Sequence, residues 1–174
     1  MTQRADTSAT DVRPEASLLG VYLNDHLAGS TFGTELASRI AKSHRGSDED
    51  DALDRFAGEV AEDRATLMEM MAALDVPVRQ YKVLLGWVAE KAGRFKPNGH
   101  LLDRSPLSGL EEFEVMRLGV EGKGACWRTL RVLAERDDRL DRARLDELVA
   151  RADRQADLLE GFRVTAVEEL VHPR

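Results

Sequence analysis

Apolar residues recur at alternating steps of three and four along four long segments of this 174-residue chain. The clearest stripe is in the second segment and consists of Leu53, Phe56, Val60, Asp63, Leu67, Met70 and Leu74. This spacing places the side chains on one face of an α-helix. No segment shows the sustained two-residue alternation and hairpin turns that are typical of strands. The sequence therefore predicts an all-α protein.

The apolar stripes and their breaks give the expected order of the helices. Long helices are predicted at about residues 15–42, 53–74, 105–137 and 141–171, and a shorter amphipathic helix at 78–95. The short helix lies in the connection between the second and third long helices and is expected to cover the bundle. Residues 1–14 are polar and predict a flexible arm, so residues 15–174 form the single domain. Together these features predict an up-down four-helix bundle with one long connection.

Composition excludes several classes of partner. The chain has 25 Lys and Arg against 32 Asp and Glu, a net charge of -7, and these charges are interleaved. A nucleic-acid surface needs a concentrated basic patch, so we expect no nucleic-acid partner. No stretch approaches the roughly 20 apolar residues of a membrane span, so we expect no membrane partner, and the polar residues 1–15 lead us to expect no secretory signal. The single cysteine, Cys126, suits a reducing compartment, and we expect a cytoplasmic protein.

A few polar residues interrupt the apolar stripes of the long helices. Asp63 and Gln155 stand on the stripes of the second and fourth helices, and Glu121 stands within the largely apolar residues 118–127 of the third. His26 lies on the first helix. One polar group per helix at similar depth is how a four-helix bundle builds an internal site. The sequence therefore predicts that these residues face the core.

Three segments carry a resemblance to a known family: residues 22–27 (YLNDHL), 59–64 (EVAEDR) and 118–125 (LGVEGKGA). They resemble the first-, second- and third-helix motifs of the ferritin-like superfamily, particularly small bacterial ferritin-like proteins and their stress-associated relatives. The likeness extends over roughly residues 17–170 in its apolar spacing. It implies a ferritin-like bundle and, from the relatives, a stress-related role.

The resemblance also implies a candidate metal site made of Asp25, Glu59, Glu62 and Glu121. Family members with two irons use a Glu-x-x-His pair on two helices and one glutamate on each of the others. Here Glu62 stands in place of the first histidine. Residues 152 and 155 of the fourth helix supply neither carboxylate nor imidazole. The di-iron motifs are therefore degenerate.

The remaining carboxylates leave alternatives open. A set of oxygen ligands favours a single hard cation such as calcium, magnesium or manganese over an iron pair, with His26 as a further nitrogen donor. Otherwise the buried acids are balanced by Arg64, Arg117 and Lys123, because an unpaired charge inside a bundle is costly. We expect the second arrangement, and therefore no cofactor. The glycines of the first and third helices predict close helix packing.

Three functions fit these observations. The favoured one is a non-enzymatic binding or interaction module that self-associates, as a homodimer. The alternative is a metal-dependent oxidoreductase, or a metal-binding protein, built on a carboxylate-bridged iron or manganese centre. A third reading is small-molecule binding between the helices, where Tyr22, Phe32 and Trp127 line a pocket. The sequence identifies no substrate.

Overall fold

The structure, a computed structural model, describes residues 18–79 and 106–172. Within these ranges the chain forms four α-helices and no strand. The helices are α1 (Leu18–Ser43), α2 (Asp50–Ala73), α3 (Pro106–Leu133) and α4 (Arg142–Val171). The predicted all-α four-helix architecture is confirmed. None of these helices combines the length and apolar character needed to cross a membrane. The short helix predicted at 78–95 lies, beyond Arg79, outside the described residues, as do residues 1–17.

Contacts between helix ends fix the directions of α1 and α3. Tyr22, near the start of α1, bonds through its hydroxyl to the Thr129 hydroxyl near the end of α3, at 3.2 Å. At the other end, the Arg39 guanidinium of α1 lies 3.2 Å from the Glu112 carboxylate near the start of α3. These two helices are therefore antiparallel. The short turn between Ser43 and Asp50 makes α1 and α2 an antiparallel pair as well.

The fourth helix is antiparallel to both α3, its most extensive neighbour, and α2. Glu69 near the end of α2 accepts a hydrogen bond from Arg144 near the start of α4, at 2.7 Å. Glu59, nearer the start of α2, accepts one from Gln155 further along α4, also at 2.7 Å. The second and third helices consequently run in the same direction. The chain between Ala73 and Pro106 therefore joins opposite ends of the bundle, in agreement with the predicted long connection.

The helix ends have local explanations. Asp50 and Asp51 occupy the first turn of α2, where acids favour the helix dipole. At its other end Asp75 adopts a positive φ of 56°, and the Val76 N–H reaches the Met71 carbonyl at 2.9 Å, as in a Schellman motif. Asp141 caps α4 by accepting bonds from the backbone N–H groups of residues 143 and 144.

One predicted boundary needs correction, because α3 ends at Leu133 and not near residue 137. The backbone N–H groups of Glu135 and Arg136 bond to carbonyls three residues back, which tightens the chain into turns. The Arg142 guanidinium then donates to the Ala134 carbonyl at 3.0 Å. A side chain from the next helix thus satisfies a carbonyl that a longer helix would have used.

Asn24 attaches the segment after α2 to α1. Its side chain is 2 % exposed. Its amide donates to the carbonyls of Gly20 and Pro77, at 2.8 and 3.1 Å. Its oxygen accepts from the Arg79 N–H at 2.7 Å. Because a buried amide is fully bonded here, the exit from α2 is fixed to the first helix.

Candidate functional site

The centre of the bundle holds an ion pair between α2 and α3. Asp63, on the stripe of α2, has a side chain only 2 % exposed, and the Lys123 Nζ of α3 donates to its Oδ2 at 2.5 Å. Arg151 of α4 donates to the other oxygen, Oδ1, at 3.1 Å. A carboxylate this deeply buried needs such partners, since an uncompensated charge inside a protein is strongly destabilising. The protein's own cations therefore balance Asp63.

Gln155 of α4 extends this ion pair into a network. Its Oε1 accepts a second hydrogen bond from the Lys123 ammonium, and its Nε2 donates to Glu59 of α2 at 2.7 Å. The side chain is 2 % exposed, so both ends of a buried amide are bonded. Glu62 joins the network by accepting a hydrogen bond from Arg151 at 3.2 Å. We call this network of side chains the polar centre. Its members are Glu59, Glu62, Asp63, Lys123, Arg151 and Gln155.

Electrostatics in the polar centre act most strongly on Lys123. Burial lowers the pKa of its ammonium, the positive Arg151 acts in the same direction, and Asp63 and Glu59 oppose the shift. Desolvation disfavours the charged form of an amine, and nearby carboxylates favour it. The net direction shows that desolvation outweighs the attraction of the two acids.

A cavity of about 400 Å³ lies beside the polar centre, between α1, α2 and α3. Its walls are mainly apolar: Tyr22, Phe32, Leu36, Val60, Leu67, Val115, Met116, Val120, Cys126 and Trp127. Lys123 and Asp63 are also lining residues, so the cavity and the polar centre share a wall. Asp25, Gly29 and Gly119, which are exposed, form another part of the lining. The cavity therefore reaches the surface of the described part of the chain.

Three glycines of α1 and α3 border this space and do not make the predicted close helix contacts. A Cβ added to Gly29, Gly119 or Gly122 would meet no described atom within 4 Å. All three line the cavity. Gly124 alone among the glycines of residues 119–124 fits the prediction, since its Cβ would lie 3.4 Å from the Ala152 Cβ of α4. The absence of side chains at the other three positions leaves volume open and does not bring helices together.

Two lining groups titrate away from their ordinary range. Burial lowers the pKa of His26, against the opposing charge of Asp25, and the imidazole packs edge-on against Tyr22 with ring centres 4.5 Å apart. Burial also raises the pKa of the Cys126 thiol to about 12, opposed by a hydrogen bond with Tyr22. Both groups are therefore neutral near pH 7, and the thiol is a poor nucleophile.

The four predicted metal ligands lie in different surroundings. Asp25 is exposed at the cavity edge, and Glu62 is exposed beside Arg151. Glu59 is partly buried and accepts from Gln155. The prediction that Glu121 faces the core is wrong, because its side chain is 50 % exposed and lies 3.7 Å from Arg117. Across residues 18–79 and 106–172, no three His, Cys, Asp or Glu side chains are grouped to hold a metal ion.

The other candidate polar residues divide into two groups. Asp63 and Gln155 are buried as predicted, whereas His26 is only partly buried. Lys123 takes the core-facing place that the sequence assigned to Glu121. A signal for this was present, since Met116, Val120, Lys123, Trp127 and Leu130 follow one another at steps of four, three, four and three. The glutamate, one residue after Val120, is about 100° away around the helix.

Comparison with protein-family models, curated proteins and solved structures found no match to this chain. The ferritin-like relationship therefore stays a prediction from the three short motifs.

Proposed function

We propose that this protein is a non-enzymatic binding module whose ligand is a small, neutral and mainly apolar molecule held between α1, α2 and α3. The observation that carries the proposal is the cavity of about 400 Å³ with its apolar walls. Small-molecule sites are typically concave, mostly apolar and about 300–1,000 Å³ in volume, with a few polar groups among the lining residues. Tyr22, Phe32 and Trp127, which the sequence suggested for such a pocket, all contribute to it.

The charges around the cavity favour a neutral ligand. Asp25 and Asp63 supply two negative charges to the lining, and Arg64 and Lys123 supply two positive ones. Asp63 and Lys123 already pair with each other at 2.5 Å. The formal charges of the lining therefore cancel, and a ligand with a full charge would lose its hydration in a mainly apolar space. A molecule with an apolar body and one weakly polar group fits better.

The same contacts favour binding over the alternative of a metal-dependent oxidoreductase. The most buried carboxylate, Asp63, has both oxygens bonded to protein cations, Lys123 and Arg151. A divalent ion would have to displace them, and Lys123 also donates to Gln155. We infer a bundle whose central acids are neutralised by its own side chains. Membership of the ferritin-like superfamily and a stress-related role are parts of this proposal that rest on the sequence motifs.

Self-association as a homodimer belongs to the same proposal. Leu118 and Val132 of α3 are 72 % and 68 % exposed and would offer apolar contacts to a second copy of the chain. Light scattering after gel filtration measures the mass directly. A monomer at all concentrations would remove self-association from the proposal without affecting the cavity.

The test of binding is a titration with 1-octanol, followed by the fluorescence of Trp127 and by calorimetry. We expect saturable binding to the wild type. Gly122→Leu places a side chain in the cavity and should abolish binding, whereas Gly109→Leu on the same helix lies outside the lining and should not. Both changes replace a helical glycine, so their effects on helix stability are similar. Trp127→Phe shows how much of the fluorescence change comes from Trp127 and how much from Trp87, the other tryptophan of the chain.

Equal binding by Gly122→Leu and the wild type would refute the cavity as the site. Loss of binding in both leucine variants would mean that the substitutions act through the fold. In that case calorimetry on the wild type decides whether octanol binds, and the absence of a saturable heat of binding would overturn the proposal.

A further inference from the structure

Lys123 combines a primary amine, a neighbouring base and an apolar cavity. Its side chain is 17 % exposed and belongs to the cavity lining. Amines with these surroundings are the lysines that form Schiff bases with carbonyl compounds. Lys42, by contrast, is an exposed lysine at the end of α1. The two provide a matched comparison within one chain.

The geometry around the amine is that of an activated nucleophile. Asp63 Oδ2 lies 2.5 Å from Nζ, within reach to take a proton, and Arg151 fixes the other oxygen at 3.1 Å. Gln155 accepts a second bond from Nζ and is itself held by Glu59 at 2.7 Å. A nucleophile bonded to a base, with the base oriented by a third group, is the arrangement that recurs in covalent sites.

Electrostatics support the same chemistry. Burial lowers the pKa of the Lys123 ammonium despite the two nearby carboxylates. A larger fraction of the amine is therefore neutral near pH 8 than for an exposed lysine, and only the neutral amine attacks a carbonyl carbon.

We propose that Lys123 captures small apolar aldehydes and ketones from the cavity as a reversible covalent imine. This inference rests on the proposed function, because the cavity must first hold the apolar part of the molecule. The expected ligands are carbonyl compounds with an apolar chain.

The proposed step balances without any further reactant. Asp63 takes a proton from the ammonium, and the amine lone pair forms a bond to the carbonyl carbon. A proton moves from nitrogen to the former carbonyl oxygen, giving a carbinolamine. Asp63 then returns its proton as the carbon–oxygen bond breaks and water leaves. The product is an iminium ion on Lys123, so Asp63 keeps a cationic partner and the charge of the polar centre does not change.

The experiment incubates the full chain with octanal near pH 7.5, reduces with cyanoborohydride, and locates the octyl group by peptide mass spectrometry. We expect at least about tenfold more modification at Lys123 than at Lys42, because the cavity holds octanal beside the Lys123 amine and not beside an exposed one. Asp63→Asn keeps the amine but removes the base, and modification of Lys123 should slow even though loss of the carboxylate also favours the neutral amine. An equal or faster rate at Lys123 in this variant would refute Asp63 as the base. Circular dichroism checks that this variant is folded.

Excess 1-octanol separates this inference from the proposed function. It occupies the cavity but cannot form an imine, so it should slow modification at Lys123 and leave Lys42 unaffected. Octanol binding together with octyl groups on Lys42 but not on Lys123 would overturn the nucleophile and keep the cavity. Failure of octanol to bind would overturn the proposed function. Modification of both lysines at equal rates would also refute a special role for Lys123.

Discussion

Replacing Lys123 by methionine tests whether the polar centre holds the bundle together. Methionine keeps the length and flexibility of the side chain, so packing changes little. The ammonium is removed from Asp63 Oδ2, 2.5 Å away, and from Gln155 Oε1. Asp63 then remains 2 % exposed with Arg151 at 3.1 Å as its cation. Lys42→Met, at an exposed position, is the matched control.

The expected loss follows from these contacts. Breaking a buried ion pair by removing one partner typically costs about 3–5 kcal/mol. The remaining bond from Arg151 places Asp63 at the lower end of that range. Gln155 loses a donor, which costs about 1–3 kcal/mol but overlaps with the same change, because one ammonium serves both acceptors. We therefore expect Lys123→Met to lower the free energy of unfolding by about 3 kcal/mol, or about a hundredfold in the equilibrium constant.

Urea denaturation followed by circular dichroism measures this change, and a double-mutant cycle isolates the pair. Lys123→Met with Asp63→Leu removes both charges and replaces them with apolar groups, which is often close to neutral. The double variant should be more stable than the sum of the single changes predicts, by at least about 2 kcal/mol. A loss below about 1 kcal/mol for Lys123→Met, equal to that of Lys42→Met, would refute the reasoning.

Three further predictions concern separate features of the fold. The Cys126 thiol, with a pKa of about 12, should resist iodoacetamide at pH 8 in the folded protein and react once urea unfolds it. Burial lowers the pKa of His26, so the unfolded chain binds more protons than the folded protein between that pKa and the ordinary value of 6.5. The free energy of unfolding should therefore fall as the pH decreases through this window. His26→Gln should reduce the fall in the urea midpoint between pH 7 and pH 5. Asp141→Ala removes the cap of α4 and should cost about 1 kcal/mol, measured by thermal unfolding, while Asp141→Ser should retain most of the stability.

Each of these has an outcome that would contradict it. Rapid labelling of Cys126 in native buffer would mean that the thiol is accessible. An unchanged pH dependence in His26→Gln would place the acid sensitivity on other groups. Equal losses for the alanine and serine variants of Asp141 would show that the capping oxygen contributes little.

The periodicity of apolar residues explains how much of the fold could be predicted from the sequence. Apolar steps of three and four located four helices because burial repeats with the helical turn, and Asp63 and Gln155 stand on those stripes as predicted. At Glu121 the largely apolar surroundings of residues 118–127 led away from the register of the stripe, which points to Lys123 two residues later. Small differences in helical phase decide which of two nearby polar residues is buried.

The ion pairs and hydrogen bonds within the polar centre were harder to predict from the sequence. Lys123 was named among the bases that balance buried acids, but nothing in one helix shows which acid on another helix it meets. Arg151 reaches Asp63 because its long side chain carries the charge inward from a partly buried position, which helical periodicity does not indicate. The cavity also depends on how α1, α2 and α3 pack against one another in three dimensions. Glycine spacing alone did not distinguish a close contact from an open space.

The links between α2 and α4 give the bundle a side that responds to ionic strength. Long polar side chains join these helices, including Arg144 with Glu69 at 2.7 Å and Arg151 with Glu62 at 3.2 Å, and both glutamates are more than 60 % exposed. Counterions at physiological salt, where the Debye length is about 8 Å, weaken such exposed pairs far more than the buried Asp63–Lys123 contact. The cavity lining includes no residue of α4. Raising the salt concentration should therefore weaken the exposed links between α2 and α4 first and change the ion pair on the cavity wall least.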